Sequence, residues 1–283
     1  MNLKQALAHA REVLAENNIE DAPLEGELLL RHVLGINRAH LYTDLNRELG
    51  PAQEEAFRHL IERRCRGEPA AYITGHREFY GLDFYVDHRV LIPRPESELL
   101  VEKAINLAQS RTISALAEIG TGCGAIAISL ALKLPEAKIY ASDISAAALE
   151  VARFNCRRHG VIDRICLLEG DMLDPLPEPV DLIIANLPYV KESELPATGP
   201  LSFEPVLALN GGPGGVTRID SLCRQAGSRL RSGGCLLLEI GWGQAEAVTT
   251  LSRRVFPSAR IEVSADFGGI ERVVSVCLTQ VSH

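Results

Sequence analysis

Along the first 67 residues, apolar positions recur three and four apart, the spacing of a single buried helix face. Leu3, Ala6, Leu7, Ala10, Val13 and Leu14 follow Asn2, a good N-cap, and the run stops at Asn17-Asn18. Asp21 and Pro23 open a second helix through Leu24, Leu28, Leu29 and Val33, which Gly35 closes. Short helical pieces continue through Leu45, and Pro51 begins another helix through Ala56, Phe57, Leu60 and Ile61 to Gly67. The spacing predicts a small helical bundle with no catalytic constellation of its own.

Beyond Gly67 the pattern changes. Residues 77–86 set Phe79, Tyr80, Phe84 and Tyr85 around Gly81, which reads as a β-hairpin. Val90-Leu91-Ile92-Pro93-Arg94-Pro95 is extended, because a residue before proline is pushed out of helical geometry. A helix from about Glu96 to Gln109 then leads into alternating apolar runs and amphipathic stretches. Strands are expected at 114–119, 138–143, 164–169, 180–186, 234–240, 260–266 and 271–278, with helices at 124–134, 145–159, 216–231 and 243–255. Phe267-Gly268-Gly269-Ile270 is too short for a helical crossover, so the last two strands pair antiparallel. The expected architecture is α/β: a seven-stranded, mostly parallel Rossmann-like sheet with an antiparallel last strand and a small N-terminal helical domain. Its parts are a bundle at 1–75, a hairpin joint at 76–95 and a catalytic domain at 96–283.

Composition narrows the function classes. The 46% hydrophobic and 23% charged residues are ordinary for a globular protein, and no apolar run approaches the ~20 residues of a membrane-spanning helix. The N-terminus lacks the basic-then-apolar form of a signal peptide, so a cytoplasmic location is expected. The seven cysteines (65, 123, 156, 166, 223, 235, 277) are never spaced Cys-x-x-Cys, and most fall in apolar segments as small core hydrophobes. Eight dispersed histidines argue against a metal site, and a net charge of −8 disfavours a stable nucleic-acid partner. The basic stretch Arg63-Arg64-Cys65-Arg66 reads as the solvated last turn of a helix.

The chemistry centres on Gly120-Thr121-Gly122-Cys123-Gly124, between the apolar run 116–119 and the helix-forming run 125–130. Glycines at these positions turn the chain sharply and leave bare peptide for a ligand. Three readings stay open: a relaxed dinucleotide fingerprint ending at Ala125, a loop for the amino-acid end of S-adenosylmethionine, or a tight turn without a ligand. Asp143 ends the second strand about 20 residues on, where an acid accepts ribose hydroxyls or else caps the next helix. Asp171 and Met172 follow the third strand, either bordering an adenine or simply belonging to a proline-rich loop.

The strand at 180–186 ends in Asn186-Leu187-Pro188-Tyr189, which puts an amide, a carbonyl and an aromatic ring at the carboxyl edge of the sheet. A strand-terminating turn broken by Pro188 is the plainer alternative. The residue types suit methyl transfer to a planar nitrogen, whose lone pair is delocalised and weakly nucleophilic. If the Asn186 oxygen and the Leu187 carbonyl each accept one N–H, the nitrogen is held with its lone-pair direction toward the methyl group. Tyr189 is placed to stack on the flat target.

Taken with Gly67–Phe79, Leu91–Glu98, Glu118–Ala125, Phe203-Glu204-Pro205 and Gly268–Arg272, these motifs resemble the HemK/PrmC family over nearly the whole chain. Members are S-adenosylmethionine-dependent methyltransferases that modify the side-chain amide (N5) of a glutamine in class I peptide chain release factors. The resemblance implies a class I methyltransferase fold. It also implies that Gly120, Thr121, Gly122, Cys123, Gly124 and Asp143 hold the cofactor, that Asp171 and Met172 border its adenine, and that Asn186–Tyr189 bind the glutamine, with Asn186 also touching the cofactor. It places a helical domain, a candidate for substrate recognition, beside the catalytic one; Phe203-Glu204-Pro205 is open to two readings, site closure or a loop held by ordinary packing, and Arg94 and Glu96 to a plain reading as a structural ion pair. The family usually reads Asn-Pro-Pro-Tyr, and here Leu187 takes the second place, so Asn186 no longer precedes a proline. Asn-Leu-Pro-Tyr also resembles the motif of ribosomal RNA adenine dimethyltransferases. An adenine-N6 methyltransferase acting on RNA or DNA, or a non-catalytic S-adenosylmethionine-binding regulator of translation, is therefore an alternative to be separated by assay.

Overall fold

The computed structural model describes residues 1–279, and the chain divides into two units. The first comprises Met1–His76 and Pro196–Phe203. Its helices are α1 (Leu3–Glu16), α2 (Ala22–Leu34), α3 (Arg38–Thr43), α4 (Pro51–Cys65) and α5 (Ala70–Thr74). Asn2 and Gln5 form a reciprocal capping box at the start of α1, whose buried stripe is Leu3, Ala6, Ala10 and Leu14. A Cβ on Gly26 of α2 would stand 2.9 Å from the Ala10 Cβ, so the absence of a side chain there lets the two helices approach.

Two expectations are corrected in this unit. Arg64 is buried and ion-paired with Glu25, because it continues the inward stripe of Phe57 and Ile61 on α4 instead of facing solvent. The segment 196–203, expected within the catalytic domain, clusters with these helices, where the Phe203 ring lies 3.4 Å from the place of a Cβ on Gly67. Local periodicity carries no record of such a long-range return.

The second unit is Arg77–Leu195 with Glu204 onward. Strands β1 (His76–Phe79) and β2 (Leu82–Tyr85) turn through Tyr80 and Gly81, both at positive φ (53° and 74°), the pair of conformations that suits strand twist in a two-residue hairpin. Phe79 and Phe84 are buried with their rings edge to face, 6.2 Å apart. A 3-10 turn at Pro95–Ser97 then precedes α6 (Glu98–Ser110).

The alternation that follows is β3 (Ala115–Ile119), α7 (Ala125–Lys133), β4 (Lys138–Asp143), α8 (Ala146–Arg158), β5 (Ile165–Glu169) and β6 (Val180–Ala185). It continues with α9 (Val206–Leu209), α10 (Thr217–Arg229), β7 (Leu230–Glu239), α11 (Ala245–Val255), β8 (Arg260–Ala265) and β9 (Glu271–Cys277). The sheet order is β5-β4-β3-β6-β7-β9-β8, parallel from β5 to β7, with β9 antiparallel to both its neighbours. All five residues of β3 are buried, as the centre of a sheet covered on both faces requires. One face packs Ile183, Ala185, Leu236 and Leu238 against Ile219, Leu222 and Cys223 of α10 and Val248 of α11.

Two further differences have physical causes. β7 starts at Leu230, not 234, because Leu230 already pairs with Val180 before a bulge at Gly233 (φ 74°) brings Cys235 opposite Leu182; the bulge sequence Ser-Gly-Gly looks like a loop. Cys235 and Cys277 are not separate core thiols. They stand directly opposite on β7 and β9, with Cα atoms 4.2 Å apart, and are joined as a disulfide, while Cys166 is exposed.

Candidate active site

The chain leaves the adjacent strands β3 and β6 in opposite directions, to β4 and to β7, so a crevice opens between their carboxyl ends, the position where open α/β sheets collect ligands. The loop after β3 doubles back over β4. The N–H groups of Gly120 and Thr121 both donate to the Ser142 carbonyl, at 2.9 and 3.0 Å, and Gly124 N–H donates to the Thr121 carbonyl at 2.8 Å. Gly120, Gly122 and Gly124 all have positive φ (73°, 55° and 86°), conformations that side chains disfavour. A Cβ on Gly122 would meet nothing within 4 Å, so its peptide faces open space, whereas one on Gly124 would stand 3.1 Å from Ile128 Cδ1. Gly122 is thus free of the packing around it, and Gly124 serves the fit of loop to helix. Asn155 of α8 steadies the arrangement, donating to the Cys123 carbonyl and to the Tyr85 carbonyl of the hairpin, each at 2.9 Å.

Asp143 closes the loop from below: one carboxylate oxygen accepts from Gly122 N–H and the other from Ser145 N–H, both at 2.9 Å. Burial raises its pKa, and these backbone donors oppose the rise. Ile144 N–H is a third backbone donor to the carboxylate, which leaves it acceptor capacity for about one further donor. Beside it Glu118 is buried and accepts from Thr121 Oγ1 (2.6 Å) and Ala127 N–H (2.9 Å), yet desolvation still pushes its carboxyl up to about 8.

A cleft of about 850 Å³, open mouth included, is lined by Gly120, Gly122, Asp143, Asp171, Met172, Asn186, Leu187 and Pro188. Val90, Leu91, Pro205, Leu207 and Arg218 complete its walls. Asp171 is exposed at the rim; Met172 is buried, with a positive φ of 48° and its carbonyl bonded by Ser142 Oγ. Thr121 and Cys123 line a smaller neighbouring cavity with Phe79, Pro93 and Ser97, and Asn186 belongs to both. Leu187 is buried, its Cδ2 3.3 Å from the place of a Cβ on Gly120. Gly124 and Tyr189 line neither cavity. The Tyr189 ring lies against Gly241, its carbonyl accepts from Gln244 Nε2 at 3.0 Å, and burial drives its hydroxyl up to about 12.

The side chain of Asn186 is fixed at one end, its Nδ2 donating to the buried Ser97 Oγ at 2.9 Å, while its Oδ1 has no protein partner among the described residues. Next to Ser97 stands Glu239, the last residue of β7, buried and with its carboxyl raised to about 7 by desolvation. The sequence reading missed both. A carboxylate ending an apolar strand, as in Leu236-Leu237-Leu238-Glu239, is the same signal that marked Asp143. The reading of Arg94 and Glu96 as a pair is not met: among the described residues Arg94 is paired with buried Glu204, and Glu96 has Arg272 at 4.0 Å. Glu204 also accepts from Ile92 N–H at 3.1 Å, tying the 90–95 segment to the loop that supplies Pro205 and Leu207 to the cleft wall.

The strand order, with its antiparallel end and a glycine loop at the switch point, defines a class I methyltransferase domain. Residues 95–198 match the methyltransferase small domain, and residues 5–75 match the PrmC N-terminal domain. The release factor glutamine methyltransferase of Moorella thermoacetica is 43% identical over 96% of this chain and 97% of its own length. That of Chlorobaculum tepidum is 42% identical over 94% and 93%. Among solved structures, a methyltransferase from Pyrococcus furiosus superposes with a TM-score of 0.51 at 19% identity, covering 71% of this chain and 90% of that one, a likeness of fold. The chain belongs to the release factor glutamine methyltransferase family.

Proposed function

We propose that this protein transfers a methyl group from S-adenosylmethionine to the side-chain amide nitrogen of a glutamine in a class I peptide chain release factor. The observation that carries the reading is Asn186. Its amide is pinned by Ser97 with Oδ1 turned free, at the strand end that shares a cleft with the glycine loop. Family membership supports the substrate class, and a release factor substrate sets the reaction in the cytoplasm. Among the described residues no helix is long and apolar enough to cross a membrane.

S-adenosylmethionine supplies a methyl group on a positively charged sulfur. The residues present fit it: Gly122 faces open space in the cleft, and the Asp143 carboxylate lines the same cleft with acceptor capacity left for a hydroxyl. In this reading Gly120–Gly124 hold its amino-acid end, with Thr121 and Cys123 toward the smaller cavity, and Asp171 and Met172 border its base. Asn186 Oδ1 and the Leu187 carbonyl each accept one N–H of the target amide, which aligns the nitrogen and stabilises the positive charge it gains. No strong base is needed, since the methylated amide is acidic and loses its proton afterwards. Pro188 holds the Leu187 peptide in extended geometry. Tyr189 supports the motif from behind, its carbonyl tied to Gln244.

Release factor, a ribosomal RNA fragment and radiolabelled S-adenosylmethionine in parallel assays test the proposal. Label in protein is expected. Label in RNA would point to the adenine methyltransferase reading, and cofactor binding without transfer to a regulator.

A further inference from the structure

We infer that Glu239, acting through Ser97, sets which end of the Asn186 amide faces the target, so that Ser97 and Glu239 are positioning residues for methyl transfer. The inference rests on the reading of Asn186 given above. Ala185 of β6 pairs with Leu238 of β7, so Asn186 and Glu239 are the next residues on two parallel neighbours and share a face of the sheet. Ser97 meets them there. It occupies the N-cap position of α6, where a serine ordinarily bonds the first-turn N–H groups, but its side chain makes no capping bond. Its oxygen instead accepts from Asn186 Nδ2 at 2.9 Å, and the Glu239 carboxyl is the neighbouring acceptor toward which its hydroxyl can turn. Glu239 Oε2 is buried and has no hydrogen-bond partner among the described residues.

Counting protons gives the direction of the chain. A serine hydroxyl has one hydrogen, and an ionised carboxylate can only accept. An ionised Glu239 draws that hydrogen toward itself, and Ser97 then offers Asn186 only an acceptor. Asn186 must then present Nδ2 to Ser97 and Oδ1 to the target. With Glu239 protonated, the carboxylic acid donates to Ser97, which frees the serine hydrogen for Oδ1 and lets the amide reverse. A reversed amide presents N–H to the N–H of the target and cannot hold it. The charged and titratable groups around Glu239 are Arg94 and Glu96 from the turn before α6, Arg272 from β9 and Tyr189 after β6. The two arginines favour the ionised form, and burial and Glu96 oppose it, leaving the carboxyl near neutrality at about 7.

The test measures kcat/KM for a release factor substrate against pH, with S-adenosylmethionine affinity measured separately, for wild type, Glu239→Gln, Ser97→Ala and Ser97→Thr. The wild type is expected to lose activity as pH falls through about 7. Glu239→Gln, whose amide can donate to Ser97, is expected to lower kcat/KM by about 10- to 100-fold at pH 8 and to lack that acid limb, with cofactor affinity within about twofold. Ser97→Ala should fall as far, and Ser97→Thr, which keeps the hydroxyl, should retain most activity. Unchanged kcat/KM and acid limb in Glu239→Gln, or equal loss in Ser97→Ala and Ser97→Thr, would overturn the relay. If Glu239→Gln does not fold, the two Ser97 variants decide. Absence of transfer by the wild type would count against the functional reading itself, not against the relay.

Discussion

At the scale of single residues, the division of labour is between Asp143, which braces the glycine loop through Gly122, and Asn186, which is held by Ser97 and faces both cavities. Removing each side chain should therefore affect a different quantity. Asn186→Ala is expected to lower kcat by 100-fold or more, on the order of the loss of one preorganised contact to the developing charge, while cofactor affinity stays within about threefold. Asp143→Ala should instead raise the cofactor Kd by about 10- to 100-fold, since the bond to Gly122 and one to a cofactor hydroxyl are at stake. Isothermal titration and single-turnover rates on the two variants check this, and parallel losses of cofactor binding would contradict it. That most of these residues share one cleft was legible in the sequence, because a strand end followed by glycine, or an acid closing an apolar run, is a local signal. Ser97 and Glu239 were not read, because their meaning lies in a three-way meeting across 142 positions of sequence. Tyr189 was expected over the target and lies against Gly241, a packing outcome that its own neighbours do not announce.

In the proposed reading the strand–loop–helix unit β3–α7 is the element that holds the cofactor, and its stability is testable. Gly124→Ala places a Cβ at φ 86° and 3.1 Å from Ile128 Cδ1. It should cost about 1–3 kcal/mol and lower the Tm by several degrees, read by calorimetry. Desolvation beneath the same loop pushes the buried Glu118 carboxyl up to about 8, from the ordinary 4.5 of a glutamate. Between those values the folded state holds more protons than the unfolded one, so stability falls as pH rises from about 4.5 to about 8. Glu118→Gln removes that titration, so melting curves at pH 5.5 and 8.5 should lie closer together in the variant than in the wild type; an unchanged gap would refute the assignment. Period and punctuation identified all seven sheet strands and their antiparallel end. The misreadings have physical origins: a bulge at Ser232-Gly233-Gly234 disguised the start of β7, and a cross-strand cysteine pair looks like two unrelated core residues until register is known.

For the whole molecule, the sequence of helical bundle, hairpin and doubly wound sheet was legible because each part has its own periodicity. The return of Pro196–Phe203 to the helical unit, and the tie of Glu204 to Arg94 and Ile92, were not, since both join distant stretches of chain. In the proposed reaction a protein amide, and not a nucleic-acid base, is the acceptor; an overall charge of −8 agrees with that choice. The most direct test is tandem mass spectrometry of a class I release factor after incubation with this protein and S-adenosylmethionine. One methyl group on the side-chain amide of a single glutamine is the predicted result, and its absence in the presence of methylated adenine in RNA would contradict the account.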